Sequence, residues 1–218
     1  TFFGGVLMVL RKLMGLFACV LVLGVASFAS AGVPDLQETT ADLVYTGTET
    51  LSLFNLPNGA GRSFTEAFLP AGGGTADATI ELTLRDGFGD PIDDYPAEDM
   101  WIASADDGMT GCGSTIGADF NTNAAGETVW AAPKFAGGYS QALCIVYING
   151  DALTSNGGLA LSFNSADISG DGVVNLTDAG FFSGYLGGTN YAGDYNYDGV
   201  VNVSDAGFMA NSLGASCP

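Results

Sequence analysis

The chain has 218 residues, no histidine, 33 glycines and a formal charge of −19, with 24 acidic side chains against five basic ones. Without an imidazole, Ser–His–Asp catalysis and histidine acid–base work are excluded. A field of this sign repels nucleic acid and anionic membrane and attracts cations. The length allows one or two domains, and a glycine-rich, lysine-poor composition suits an extracellular β-rich protein better than a cytosolic enzyme.

Residues 1–31 read as a secretory signal peptide with an upstream extension. Arg11-Lys12 is the positive n-region, residues 13–25 form the apolar h-region, and Ala29-Ser30-Ala31 is the small-x-small cleavage site, so the mature chain is expected to begin near Gly32. Met8 is the expected start, which leaves residues 1–7 outside the translated chain. A membrane anchor is the alternative, but the apolar run is short for a span and ends in small residues. No stable span is therefore expected after cleavage. Leu16-Phe17-Ala18-Cys19 faintly resembles a lipoprotein box, although the apolar run continues past the cysteine. Loss of Arg11 and Lys12 leaves three basic residues and all 24 acidic ones, a formal charge of −21 on the mature part.

Residues 32–163 read as an all-β domain. Thr79-Ile-Glu-Leu-Thr-Leu-Arg85 alternates strictly, with Ile80, Leu82 and Leu84 on one face. Further strands are expected at 43–46, 50–54, 64–68, 100–103, 127–131, 141–148 and 159–163. Turn signals at Asn58-Gly59, Asp86-Gly87, Asp107-Gly108, Asn149-Gly150 and Asn156-Gly157-Gly158 separate them. Short strands punctuated in this way predict a β-sandwich. Three stretches carry a more specific pattern: Leu82 to Ile92 (strand, acidic Gly turn, Pro, apolar residue), Asn121 to Trp130, and Gly137 to Gly150, which leads to a last strand ending at Phe163. Their order resembles the bacterial Ig-like domain of the invasin type, over about 85 residues. That resemblance implies an Ig-like spacer or adhesion module on the outside of a bacterial cell. The segment 32–74 and the insertion around Cys112 depart from it.

Beyond Cys19 the chain has Cys112, Cys144 and Cys217. In an exported protein a Cys112–Cys144 disulfide is the expected pairing. Cys217 then stays free, pairs between chains, or ties the tail to another surface. Trp101 and Trp130 read as core residues in preference to a sugar-stacking platform. The pairs Asp93-Asp94, Glu98-Asp99 and Asp106-Asp107 sit among Pro and Gly as loop decoration, and the loops from Asp86 to Asp99 read as solvated in preference to a third calcium site. Glycoside hydrolysis needs two carboxylates facing each other across a cleft, whereas neighbours on a strand point to opposite faces. The chain is expected to be non-catalytic.

The tail repeats one twelve-residue phrase: Asp167 to Asp178, then Asp194 to Asp205, 27 residues later. Hard cations such as calcium take six to eight oxygens, supplied in an EF-hand loop from positions 1, 3, 5, 7, 9 and 12. Those positions are Asp167, Ser169, Asp171, the Val173 carbonyl, Asn175 and Asp178 in the first loop. In the second they are Asp194, Asn196, Asp198, the Val200 carbonyl, Asn202 and Asp205. Gly172 and Gly199 fall at position 6, where the backbone turns sharply. Val174 and Val201 at position 8 are expected to point inward and let the two loops pair back to back. Position 12 is Asp, not Glu, and Ser169 is a weak neutral ligand, so the second loop is expected to bind more tightly. Asn175-Leu176-Thr177 and Asn202-Val203-Ser204 also match a glycosylation sequon, but both asparagines are loop ligands.

No convincing helix precedes either loop. A calcium loop plus one following helix, used twice over about 50 residues, resembles the type I dockerin module. The resemblance implies a small α-helical domain over 164–218 with two F-hand calcium sites. It also implies a protein partner of the cohesin kind, or another surface protein, in a secreted system. The family's recognition positions are loop positions 10 and 11 with nearby basic residues. Here they read Leu176-Thr177 and Val203-Ser204, and neither helix carries Lys or Arg. Phe181, Phe182, Tyr185 and Leu186 form one apolar stripe, and Phe208, Met209 and Leu213 the other. So small a core needs its metals as staples, and metal binding is expected to be folding. With a chelator, the chain beyond Ala166 is expected to lose helix while the sandwich persists. Two functional readings remain open: a secreted calcium-binding spacer or adhesion protein with a docking tail, and an accessory subunit of extracellular polysaccharide breakdown that binds carbohydrate.

Overall fold

The alternating stretch at 79–85 builds β5 (Ile80–Thr83), with Ile80 and Leu82 buried and Glu81 exposed. It lies in antiparallel register between β1 (Thr40–Leu43) and β9 (Glu127–Trp130). These elements belong to a computed structural model, which describes residues 32–218 apart from 114, 154 and 156. The signal peptide expected over 1–31, and Asn156 of the last turn signal, lie outside the described residues.

Among the described residues the architecture is mainly β, with several sheets and two α-helices. A second sheet orders β12 (Asp151–Ala152), β11 (Cys144–Ile148), β6 (Met100–Ser104) and β8 (Ile116–Gly117). Asn149 and Gly150 join β11 to β12 with φ of 51° and 96°. Two positive φ values in a two-residue connection are what an Asn-Gly hairpin turn requires. β7 (Met109–Gly111) pairs with β10 (Ala136–Gly138).

The remaining sheet decides where the tail goes. It orders β13 (Leu161–Ser165), β2 (Leu51–Asn55), β3 (Ala67–Phe68) and β4 (Thr75–Ala76). β13 and β2 run parallel, from Leu161↔Leu51 to Ser165↔Asn55, and every residue of both is buried. Strands covered on both faces lose the apolar–polar alternation of a half-exposed strand. Leu51, Leu53, Leu161 and Phe163 enter the core with Trp130, Ile102 and Leu82. The opposite face carries Ser52, Phe54, Ser162 and Asn164, and the tail lies on it. Phe54 joins a second core with Tyr195, Val174, Val201 and Met209. The Ser52 and Tyr191 hydroxyls share a 2.9 Å hydrogen bond, and the Asn164 amide donates to the Tyr191 and Asp194 carbonyls. The expected domain boundary at 163/164 thus falls inside β13.

The tail's helices are α1 (Leu176–Tyr185) and α2 (Val203–Ser212). Their inner faces bury Phe182 and Met209, while Phe181, Leu186 and Leu213 of the expected stripes are exposed. The expected self-contained helical core is therefore corrected: two ten-residue helices cannot cover Tyr195, and Phe54, Leu56 and Phe68 of the β part complete the enclosure.

The expected Cys112–Cys144 disulfide is also overturned. Cys112 is bonded to Cys217, with Cα atoms 5.4 Å apart, and Cys144 is free and buried. Cys144 occupies an inward position of β11, opposite Ser104, and burial pushes its thiol pKa up. Cys112 lies half-buried just past β7, beside the last residues of the tail.

Candidate metal centres

Both helix starts do double duty. Asp178 is the third residue of α1, and its carboxylate accepts from the Ser169 and Asn175 N–H groups, each at 2.9 Å. Asn175 caps the helix by accepting from the Thr177 N–H at 2.7 Å. This reciprocal capping box suits an Asp, because its short arm reaches back to the cap. The second loop repeats the scheme. Asp205 accepts from Tyr195, Asn196 and Asn202, and Asn202 caps α2 through the Ser204 N–H.

The loop entrances match as well. Asp167 accepts from the Asp171 and Gly172 N–H groups, and Asp194 from those of Asp198 and Gly199. Gly172 and Gly199 take φ of 85° and 90°, the left-handed turn that favours glycine. In the first loop, carboxylate oxygens of Asp167, Asp171 and Asp178 lie within 4.8 Å of one another.

The electrostatics call for a cation. Asp167, Asp178, Asp194 and Asp205 are all buried. Among the described residues the ion pairs are Arg62–Glu66 and Lys134–Asp119, and Arg85 donates to the Gly89 carbonyl. None of these described basic side chains neutralises the loops, and a buried charge without a partner is costly. Burial raises the Asp167 carboxyl above the usual range; the Gly172 N–H opposes this, and the charges of Asp178 and Asp171 add to it. Burial likewise raises Asp194, against the N–H groups of Gly199 and Asp198 and with the charges of Asp205 and Asp198. An all-oxygen set with several carboxylates fits a hard divalent ion.

At position 9 the amide NH2 of Asn175 faces the Val173 carbonyl and the Asp171 carboxylate, and Asn202 repeats this toward Val200 and Asp198. Their oxygens serve the helices, so a cation would be met at that corner through water, as position 9 commonly allows.

Val174 and Val201 are buried as expected, but the loops do not pair with each other. Val174 exchanges hydrogen bonds with Ala215 and Gly214, and Val201 with Gly188 and Gly187. Each loop pairs with the segment that follows the other repeat's helix. The β part touches both loops. The Gly138 N–H donates to the Asp167 carbonyl at 2.7 Å, the Gly72 N–H reaches the Tyr197 carbonyl, and Gly137 lies directly against the Asp167 carboxylate. Sequence reasoning missed these contacts; Gly137-Gly138 and the tail cysteine were the available signals.

The other acidic residues singled out organise turns. Asp86 accepts from Phe88 and Asp90, Asp94 from Asn121, and Asp106 from Ser140 and Gly108. Trp130 is buried with its indole N–H on the Ile116 carbonyl. Trp101 is half-buried and stacks on Tyr147 at 5.7 Å. Leu176 and Val203 are 84% and 82% exposed. An open groove of about 790 Å³ is lined jointly by α2 and the β part, among others by Arg62, Glu66, Ser204, Phe208 and Asn211.

No family model matches the chain, and no curated protein does. Two solved structures are similar to parts of it. A type II cohesin-dockerin domain from Bacteroides cellolosolvens is 35% identical over 23% of this chain and 85% of its own, with a TM-score of 0.23. The Lin-41 filamin domain is 11% identical over 62% of this chain and 97% of its own, with a TM-score of 0.30.

Proposed function

We propose that the protein is a secreted, non-catalytic calcium-binding interaction protein: an Ig-like β-sandwich carrying a dockerin-type docking tail with two calcium ions. The observation that carries the reading is the set of four buried loop carboxylates with no basic partner among the described residues. In the first loop Asp167, Ser169, Asp171, the Val173 carbonyl and Asp178 would hold the ion directly, with Asn175 behind a water. In the second, Asp194, Asn196, Asp198, the Val200 carbonyl, Asp205 and Asn202 have the same roles. The ion supplies charge neutralisation and rigidity and takes part in no reaction.

The partner is a protein, cohesin-like or another surface protein. It would meet the exposed pairs Leu176-Thr177 and Val203-Ser204. Neither helix has a basic residue, but the fold brings Arg62 to the groove beside Ser204. Calorimetric titration with calcium, and with magnesium for comparison, tests the reading. Two calcium ions per chain are expected, and uptake of none sinks it. The polysaccharide reading would act at an open groove lined by Glu81, Asn121, Asn123, Glu127 and Phe120, the last of which is 70% exposed. Titration with soluble polysaccharides, repeated with Phe120→Ala, decides between the two.

A further inference from the structure

The two loops are supported unequally. The second pairs with Gly187 and Gly188, and the chain beyond them is anchored within a few residues by buried Tyr191 and Ala192. The first pairs with 214–217: the Gly214 N–H donates to the Val174 carbonyl at 2.9 Å, the Val174 N–H to the Ala215 carbonyl at 2.8 Å, and the Cys217 N–H to the Gly172 carbonyl at 2.9 Å. The ligand carbonyl of Val173 thus sits between two residues that the tail holds on either side. In 214–217 only Ala215 is buried, and the covalent tie is the bond from Cys217 to Cys112. The bridge also abuts the position-6 turn: a Cβ on Gly172 would lie 2.9 Å from the Cys217 sulfur.

We propose that the Cys112–Cys217 disulfide is a clamp for the first calcium loop: by pinning 214–217 against Gly172 and Val174 it pre-organises that site, which has full affinity only while the bridge is closed. The inference rests on the calcium reading above. Opening needs a dithiol reductant, which supplies two electrons and two protons. The S–S bond breaks, both cysteines become thiols, and the reductant leaves as its own disulfide. Buried Cys144 takes no part.

The probe is calcium chloride, titrated into oxidised and dithiothreitol-reduced protein. Asp198→Ala isolates the first site, and Asp171→Ala the second. Reduction is expected to weaken the first site roughly ten-fold, about 1.4 kcal/mol, and to change the second less than about two-fold. By reciprocity, calcium must protect the bridge against reduction by the same factor, read as alkylation of Cys112 and Cys217. Should a variant fail to fold, reduced against oxidised wild type shows one of two calcium phases shifting. Equal first-site affinity in both redox states overturns the clamp and leaves the calcium reading standing. No calcium uptake by the oxidised wild type overturns the calcium reading, and the clamp with it.

Discussion

Gly137→Ala is a one-carbon test of how the β part supports the first loop. A Cβ built there would lie 2.0 Å from Oδ2 of Asp167 and 2.7 Å from its Cγ, so an atom must move by more than an ångström. Asp167 has little room to yield. It is fully buried, and its carboxylate holds the Gly172 and Asp171 N–H groups while its carbonyl holds Gly138. Overpacking alone costs about 1–3 kcal/mol, and a lost hydrogen bond to a charged group about 1.5–3 kcal/mol. A total near 3 kcal/mol corresponds to a fall in Tm of roughly 6–12 °C for a chain of this size. The first calcium site should weaken more than ten-fold, because its position-1 ligand is displaced. Gly199→Ala is the control: nothing lies within 4 Å of its Cβ and its φ is +90°, so backbone strain of about 1–3 kcal/mol is its whole cost and the first site should be untouched. Thermal unfolding and calcium titration of the two variants read this out. A Gly137→Ala protein with unchanged Tm and two intact sites would refute the argument.

Lys134→Met should cost about 3 kcal/mol at neutral pH, since it leaves Asp119 buried without its cation. Burial pushes the Asp119 carboxyl up, but Lys134 and the Ala132 and Ala131 N–H groups outweigh it and hold the pKa below its ordinary value. A depressed carboxyl contributes stability that is present above the unfolded pKa, about 4, and lost as pH falls through the folded value. Wild type should therefore lose stability below about pH 4 more steeply than the variant in acid titrations followed by fluorescence. Phe54→Ala removes a buried ring in contact with Tyr195 and Phe208 and should cost about 3 kcal/mol. Helical circular dichroism and Trp130 fluorescence should melt together at the lower temperature, and separated transitions would count against a shared core.

Legibility followed periodicity and spacing. The 79–85 alternation gave β5 and its inward residues, and the Asn149-Gly150 signal gave the turn that ends β11, though not its partner strand β12. The twelve-residue repeat placed both position-6 glycines and singled out Asn175, Asp178, Asn202 and Asp205 as ligands, but not their second role as helix caps. What stayed hidden was long-range pairing. β4, β7, β8, β10 and β12 are two or three residues long, too short to show a period. The run at 64–68 became a 3-10 turn (Phe64–Glu66) followed by β3. Cys144 looked available because a strand position does not announce which face it takes. Position 8 of each loop was read correctly as inward, but its pairing partner, a segment 27 residues out of phase, is set by how the two repeats cross.

That crossing and the two-faced sheet together bear on what calcium removal should do. If the tail were a self-contained unit, chelation would melt its helices and leave the β part intact. Yet Phe54, Leu56 and Phe68 of the β part help to enclose Tyr195, while Ser52 and Asn164 have their hydrogen-bond partners in the tail. Unfolding the tail would expose that apolar face to water, at about 25 cal/mol for each Å² of apolar surface, and would exchange those hydrogen bonds for bonds to water. Each loop also pairs with the segment that follows the other repeat's helix, so the two repeats are held together as one unit. The physical expectation is therefore one cooperative transition spanning residues 32–218, shifted to lower temperature by chelator. Helix signal and Trp130 fluorescence followed on the same EDTA-treated sample decide this. Helix lost at full Trp130 signal would mean that the outer face of β2 and β13 tolerates solvent, against the packing seen here.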